Sequence, residues 1–144
     1  MKVSVELSKE YNPPYAVIYT DNVTDEIQKA IDLLGMKETP LIAQQEDRIE
    51  VIKPDEVYMI RVEGGDTVIY TEREKYYSRK RLYETYEQLG AGFMQISKQT
   101  IVNLSCIKSV EAGFNGTLLL KLKNGSSDYV SRKYLPEFKK YLGL

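Results

Sequence analysis

The sequence predicts a mostly β fold with short helices, of the α+β class, in which a β-meander body follows a short strand, strand and helix annex. Three observations carry this. From Leu41 onward, short β-prone runs alternate with close turn punctuation, which suits meanders better than alternating β and α units. Asn124-Gly125 joins two alternating runs, the strongest short-range hairpin signal. Helical periodicity is confined to brief stretches.

In the annex, residues 1–40, Val3, Val5 and Leu7 alternate with polar residues, and Tyr15 to Tyr19 is β-prone after Asn12-Pro13-Pro14, so two short strands are expected. A helix should follow, capped by Asn22, with Val23, Ile27, Ile31 and Leu34 on one face and Gly35 as its stop. Some 40 residues hold too little core to stand alone, so that face should pack on the body or on a second copy. In the body, residues 41–144, strands are expected at Arg48 to Ile52, Val57 to Val62 and Thr67 to Thr71, separated by Lys53-Pro54-Asp55 and Gly64-Gly65. Arg81 to Leu89 reads as a helix with Leu82, Tyr83, Tyr86 and Leu89 on one face and Gly90 at its end. Ile101 to Leu104, Ile107 to Val110, Thr117 to Lys123 and Asp128 to Val130 complete the strands. The last helix should begin near Lys133 to Leu135, because Pro136 belongs in a first turn, leaving Ser131-Arg132 at a strand-to-helix corner.

A chain of 144 residues, 42% hydrophobic and 28% charged, is expected to be one globular domain or a domain with a short annex, not a two-domain enzyme. No run approaches the roughly 20 apolar residues of a membrane helix, and the amino terminus lacks a signal-peptide core, so a cytoplasmic protein is expected. One cysteine, Cys106, and no histidine remove internal disulfides, the usual zinc and haem ligands and His-based triads. No cofactor or metal is expected. The net charge of −1 hides an asymmetry: residues 1–70 carry 7 Lys and Arg against 14 Asp and Glu, whereas residues 71–144 carry 13 against 7. Such a split suits a carboxyl-terminal half that meets a polyanion, although two ordinarily solvated surfaces would look the same.

Three segments place cationic side chains at turns: Arg79-Lys80-Arg81, Ser97-Lys98-Gln99-Thr100 and Ser131-Arg132-Lys133. Arg can bond guanine bidentately, Gln adenine, and hydroxyls phosphate. Taken singly, each cluster also fits a solvated surface. The twelve tyrosines could be stacking platforms for single strands, but Tyr58, Tyr70, Tyr83 and Tyr86 read as half-buried core positions. Gly64-Gly65 has no following Lys-Ser/Thr and is a turn, not a phosphate loop. Glu46, Asp47, Asp55 and Glu56 flank turns without a surrounding apolar pocket, and Cys106 has no activating base, so an enzyme is not expected.

The ordered set Phe93-Met94-Gln95-Ile96-Ser97-Lys98-Gln99-Thr100-Ile101-Val102-Asn103-Leu104, Ile107, Leu118 to Leu122, Asn124-Gly125 and Val130-Ser131-Arg132-Lys133-Tyr134 resembles the LytTR DNA-binding domain of bacterial transcription regulators. Pro54 to Ile60 and the Arg81 to Leu89 stretch fit the same order, so the resemblance covers about residues 41 to 142. It implies an elongated β fold that reads successive major grooves with loop side chains, hence a sequence-specific regulator binding double-stranded DNA. By matched position, Lys98 and Arg132 would supply the principal base contacts. Ser97, Gln99, Lys133 and Lys80 would be accessory contacts, with a solvated-surface role equally open for the last three. A third contact loop would fall at Glu63 to Thr67, where this chain carries Glu63 and Asp66 in place of the family's histidine or basic residue. The annex is similar to that of small stand-alone members; there is no room in it for a receiver domain, and it would serve association as a homodimer or contact with a membrane-protein regulator. A β-rich protein-interaction module without DNA binding is the alternative.

Overall fold

The computed structural model describes residues 1–34 and 40–144. The chain divides into two units, Met1–Gly35 and Met36–Leu144.

In the first unit the expected strands do not form. Residues 1–24 have no regular secondary structure, and Val3, Val5, Leu7 and Tyr19 are exposed. Alternation makes a strand only when a partner accepts its hydrogen bonds, and among the described residues no strand pairs with this segment. The helix is there as α1, Asp25–Leu34. Its cap is Thr24 rather than Asn22: Thr24 Oγ1 accepts the Ile27 N–H at 3.3 Å, while the Asn22 carbonyl is taken by the Thr20 hydroxyl. No residue of α1 is buried. The expected stop at Gly35 lies outside the described residues.

The second unit is built on two antiparallel sheets. Strands β1 (Leu41–Gln45), β2 (Arg48–Ile52), β3 (Met59–Glu63), β4 (Asp66–Tyr70), β5 (Lys75–Ser78), β6 (Phe93–Ser97) and β7 (Thr100–Asn103) form one sheet in the order β2-β1-β5-β4-β3-β7-β6. Strands β8 (Ile107–Ala112), β9 (Leu118–Leu122) and β10 (Ser127–Val130) form the other. The meander β3-β4-β5 is the centre of the larger sheet, with a hairpin added on each side. Strand β5 was not legible beforehand. Lys75-Tyr76-Tyr77-Ser78 has no buried residue, and it is a strand because β4 and β1 hydrogen bond to it.

Helix α2 (Leu82–Leu89) follows β5 and α3 (Leu135–Leu142) follows β10. In α2 the Glu84 carboxylate accepts the Arg81 N–H at 3.3 Å, and Gly90, at φ 68°, closes the helix onto the Tyr86 carbonyl. Leu82, Thr85 and Leu89 are its buried residues and Tyr86 packs beside them, whereas Tyr83 is 62% exposed. The buried face follows 82, 85, 86 and 89, and Tyr83 projects away from it. Tyr58, Tyr76 and Tyr86 are partly buried and Tyr70 is buried, as core-edge aromatics are.

Two apolar clusters hold the unit together. Leu41, Ile52, Val57, Ile60, Ile69 and Ile101 pack under α2 on one face of the large sheet. Met59, Val68, Ile96, Val102, Leu120 and Phe138 fill the space between its other face, the small sheet and α3. Alternation along β3, β4 and β7 feeds both clusters, so their residues are buried on both faces. Cys106 is buried, and burial pushes its thiol pKa up, the reverse of what a nucleophile needs.

Candidate nucleic-acid interface

Antiparallel pairing brings three chain segments to one end of the large sheet. Strand β3 ends and β4 begins there, through Gly64-Gly65 with φ of 56° and 86°, a turn shape that glycine adopts without strain. Strands β6 and β7 meet there through Lys98-Gln99, and β5 ends there, with Ser78 opposite Thr67. The Val62 N–H donates to the Gln99 carbonyl at 2.9 Å, tying the two turns together.

The Lys98 turn has a further anchor. Neither Lys98 nor Gln99 takes a positive φ, so the hairpin twist is absorbed by a register shift between Gln95 and Ser97. The shift leaves Ile96 out of the β6–β7 ladder, and its carbonyl accepts the Ser131 N–H at 2.9 Å. One hydrogen bond thus joins the residue before Ser97 to the residue before Arg132. It limits the Cα separation of Lys98 and Arg132 to about 17 Å, given about 3.8 Å per peptide and about 5.5 Å across a strand pair. That limit is about half the roughly 34 Å between grooves one turn apart.

The site residues named from the sequence have distinct surroundings. Lys98 and Gln99 are exposed, and Ser97 Oγ accepts the Gln99 N–H at 3.2 Å, which leaves the hydroxyl proton for an outside acceptor. Arg132 is exposed and opens a 3₁₀ turn, Arg132–Tyr134. Its Nε donates to the Asn115 carbonyl in the β8–β9 connection at 3.0 Å, while no partner takes its terminal nitrogens among the described residues. That bond aims the guanidinium without using its fork. Lys133 is exposed with Nζ 5.8 Å from the centre of the Tyr134 ring, and Lys80 Nζ donates to Gln88 Oε1 at 2.9 Å. Arg79, Lys80, Arg81, Lys98, Arg132 and Lys133 are all exposed, and none forms an ion pair among the described residues.

Sequence reasoning did not single out Arg61. It projects from β3 with its side chain 27% exposed and joins the two sheets. Its Nε and Nη2 reach Glu63 Oε1 at 2.9 and 2.6 Å, Nη2 also donates to the Tyr70 hydroxyl at 2.7 Å, and Nη1 meets Asp128 Oδ2 on β10 at 3.4 Å. The Tyr70 hydroxyl donates to Glu63, and the Thr100 hydroxyl donates to Asp128 at 2.6 Å. The Tyr70 hydroxyl and the Arg61 guanidinium hold the Glu63 carboxyl below the usual carboxylate range despite its partial burial. Burial and Glu63 push Tyr70 above the usual phenol range. The negative charge beside the Gly64-Gly65 turn is therefore bound inward, and Asp66 is the exposed acid there.

The family whose sequence model matches, the LytTr DNA-binding domain, covers residues 47–143, the span that supplies these turns. The chain belongs to this family. Sensory transduction protein LytT of Enterococcus faecalis is 34% identical over 111 residues, 76% of this chain and 46% of that protein, so the chain spans about half the length of that relative. A Staphylococcus aureus protein described as an HTH-type transcriptional regulator is 28% identical over 146 residues, 100% of this chain and 99% of its own length. Among solved structures, a LytTr DNA-binding domain from Bacillus cereus superposes with a TM-score of 0.70 at 23% identity, covering 75% of this chain and 100% of that one, which shows a shared fold. In this LytTr domain the helices α2 and α3 are separated by five strands, so it contains no two helices joined by a short turn among the described residues. No described helix is long and apolar enough to cross a membrane, and no group of three or more potential metal ligands is present among the described residues.

Proposed function

We propose that this chain is a sequence-specific regulator of transcription that binds double-stranded DNA, with Lys98 and Arg132 reading base edges in one major groove. Ser97, Gln99, Lys133 and Lys80 are assigned to flanking contacts. The observation that supports this best is the Ile96–Ser131 hydrogen bond, which ties the two turns together while neither Lys98 nor Arg132 is in an ion pair among the described residues. The rigid strands behind them supply the preorganisation that loop readers need. The site works by placement and charge alone: no step is catalysed, and no cofactor is assigned.

The annex is assigned to association. The exposed apolar groups of α1, Ile31 and Leu34 among them, suit a homodimer contact. Ile31→Asp would then lower the mass in solution; an unchanged mass removes the assignment. A membrane-protein regulator on the cytoplasmic side is the other partner this proposal accommodates. The protein-interaction reading draws on a second apolar patch, in which Ile42, Ile49, Val51 and Tyr77 are exposed, Ile42 opposite Val51 and Ile49 and Tyr77 on either side of Gln44.

Duplex binding against salt separates the readings. Six neutralised phosphates give a slope near −5 and a loss on the order of 10³-fold between about 50 and 200 mM salt. A flat response would refute DNA binding and leave the interaction module.

A further inference from the structure

The six exposed cations do not all surround the Lys98 turn. Arg79, Lys80 and Arg81 follow the end of β5, and between them and the β3–β4 turn is an open cleft of roughly 390 Å³. Thr67 and Ser78, paired across β4 and β5, form part of its wall, and Asp66 is the one carboxylate on its lining. Lys80 is partly engaged: its Nζ is bonded to Gln88, and its backbone N–H donates to Ser78 Oγ at 3.1 Å. The side chains of Arg79 and Arg81 have no hydrogen-bond or ion-pair partner among the described residues. Three cations against one acid, with hydroxyls beside them, suit an oxyanion; an apolar ligand would find little to bury.

Position narrows the anion. Strand β5 is three strands from β7, so the cleft stands about 14 Å from the Lys98 turn at a strand spacing of about 4.8 Å. The major groove of B-DNA is about 12 Å wide, so when the Lys98 turn enters it the cleft lies over its wall. What lies there is the sugar-phosphate backbone.

We propose that this cleft seats a phosphodiester of the DNA backbone flanking the groove entered by Lys98, held chiefly by Arg79 and Arg81 and less by Lys80. The inference rests on the DNA-binding reading and adds a second, base-blind contact that sets the angle at which the Lys98 turn meets the groove.

The test uses the full chain and two probes, a random-sequence duplex and an operator selected from a random pool, titrated at several salt concentrations. The double variant R79Q/R81Q should weaken binding to both by the same factor, roughly tenfold, and lower the salt slope by about two units. The specificity ratio should stay constant, and R79K/R81K should restore most of the slope. A neutral methylphosphonate at the seated linkage should weaken the wild type but not the double variant. If R79Q/R81Q melts at a lower temperature, the methylphosphonate scan on the wild type and on R79K/R81K decides. An unchanged slope, a fall in the specificity ratio, or a methylphosphonate penalty equal in both proteins at every position overturns the cleft while wild-type duplex binding stands. Failure of the wild type to bind any duplex overturns the cleft and the DNA-binding reading together.

Discussion

Two turns at the same end of one sheet differ in what becomes of their charges. At the β3–β4 turn, Glu63 is drawn inward by Arg61 and Tyr70, and its charge is spent on joining the sheets. At the β6–β7 turn, two strands away, Lys98 is exposed and has no side-chain partner among the described residues. Both are two-residue turns in antiparallel hairpins. The difference lies in what β10 and the residue just after it offer each. Asp128 meets Arg61 beneath the first turn, whereas Ser131, three residues on, gives the second a backbone bond and leaves its side chains alone. A turn becomes available for recognition when the scaffold holds its backbone and not its functional group.

The largest expected effect comes from breaking the inward turn. Arg61→Met should destabilise the fold by about 2 kcal/mol, less than for a fully buried pair because water still reaches the network, since Glu63 and Asp128 lose their cation. Urea unfolding measures it, and a change below about 0.5 kcal/mol would show that the clasp contributes little.

Breaking the outward turn should do the opposite. Lys98→Ala and Arg132→Ala should leave the melting temperature nearly unchanged yet cut the ratio of operator to random-duplex affinity about tenfold each, as lost base contacts do. If Arg132→Ala weakens both duplexes equally, or loses stability first through its bond to Asn115, Arg132 is a phosphate or structural residue.

Glu63→Gln sharpens the comparison through pH. Because the folded pKa of Glu63 is depressed, the stability it contributes is fully present above the unfolded value of about 4.3 and is lost as pH falls through the lower folded value. The variant should therefore be less stable than the wild type at neutral pH, by only about 0.5 kcal/mol because water screens a carboxylate this exposed, with the gap closing from about pH 4 downward. A gap of the same size at pH 7 and at the lowest pH the fold survives would mean that the carboxylate charge is not what matters.

The smallest effect belongs to Asp66, the acid left exposed at the inward turn. Asp66→Asn should raise affinity for any duplex about threefold at low salt, with the gain fading as screening shortens the reach of the charge. A change confined to one sequence would instead make Asp66 a reader.

Much of this protein was legible in local sequence. The Asn124-Gly125 hairpin, the helix ending at Gly90 and the strand-to-helix corner at Ser131-Arg132 follow from turn chemistry, capping and the fixed φ of proline, which act over a few residues. Lys98 and Arg132 could be placed on turns for the same reason. The tertiary structure decided what local rules cannot reach. Val3 to Leu7 has the right alternation and remains irregular for want of a partner, whereas Lys75 to Ser78 has little pattern and is a strand because neighbours bond to it on both sides. Arg61 looks like any strand cation until Asp128, 67 residues away, meets it. The nearness of the Lys98 turn to the Arg132 corner depends on one bond between Ile96 and Ser131, 35 positions apart. Backbone preference is a property of the residue and its neighbours in the chain. The pairing of charges and carbonyls is a property of the space the folded chain encloses.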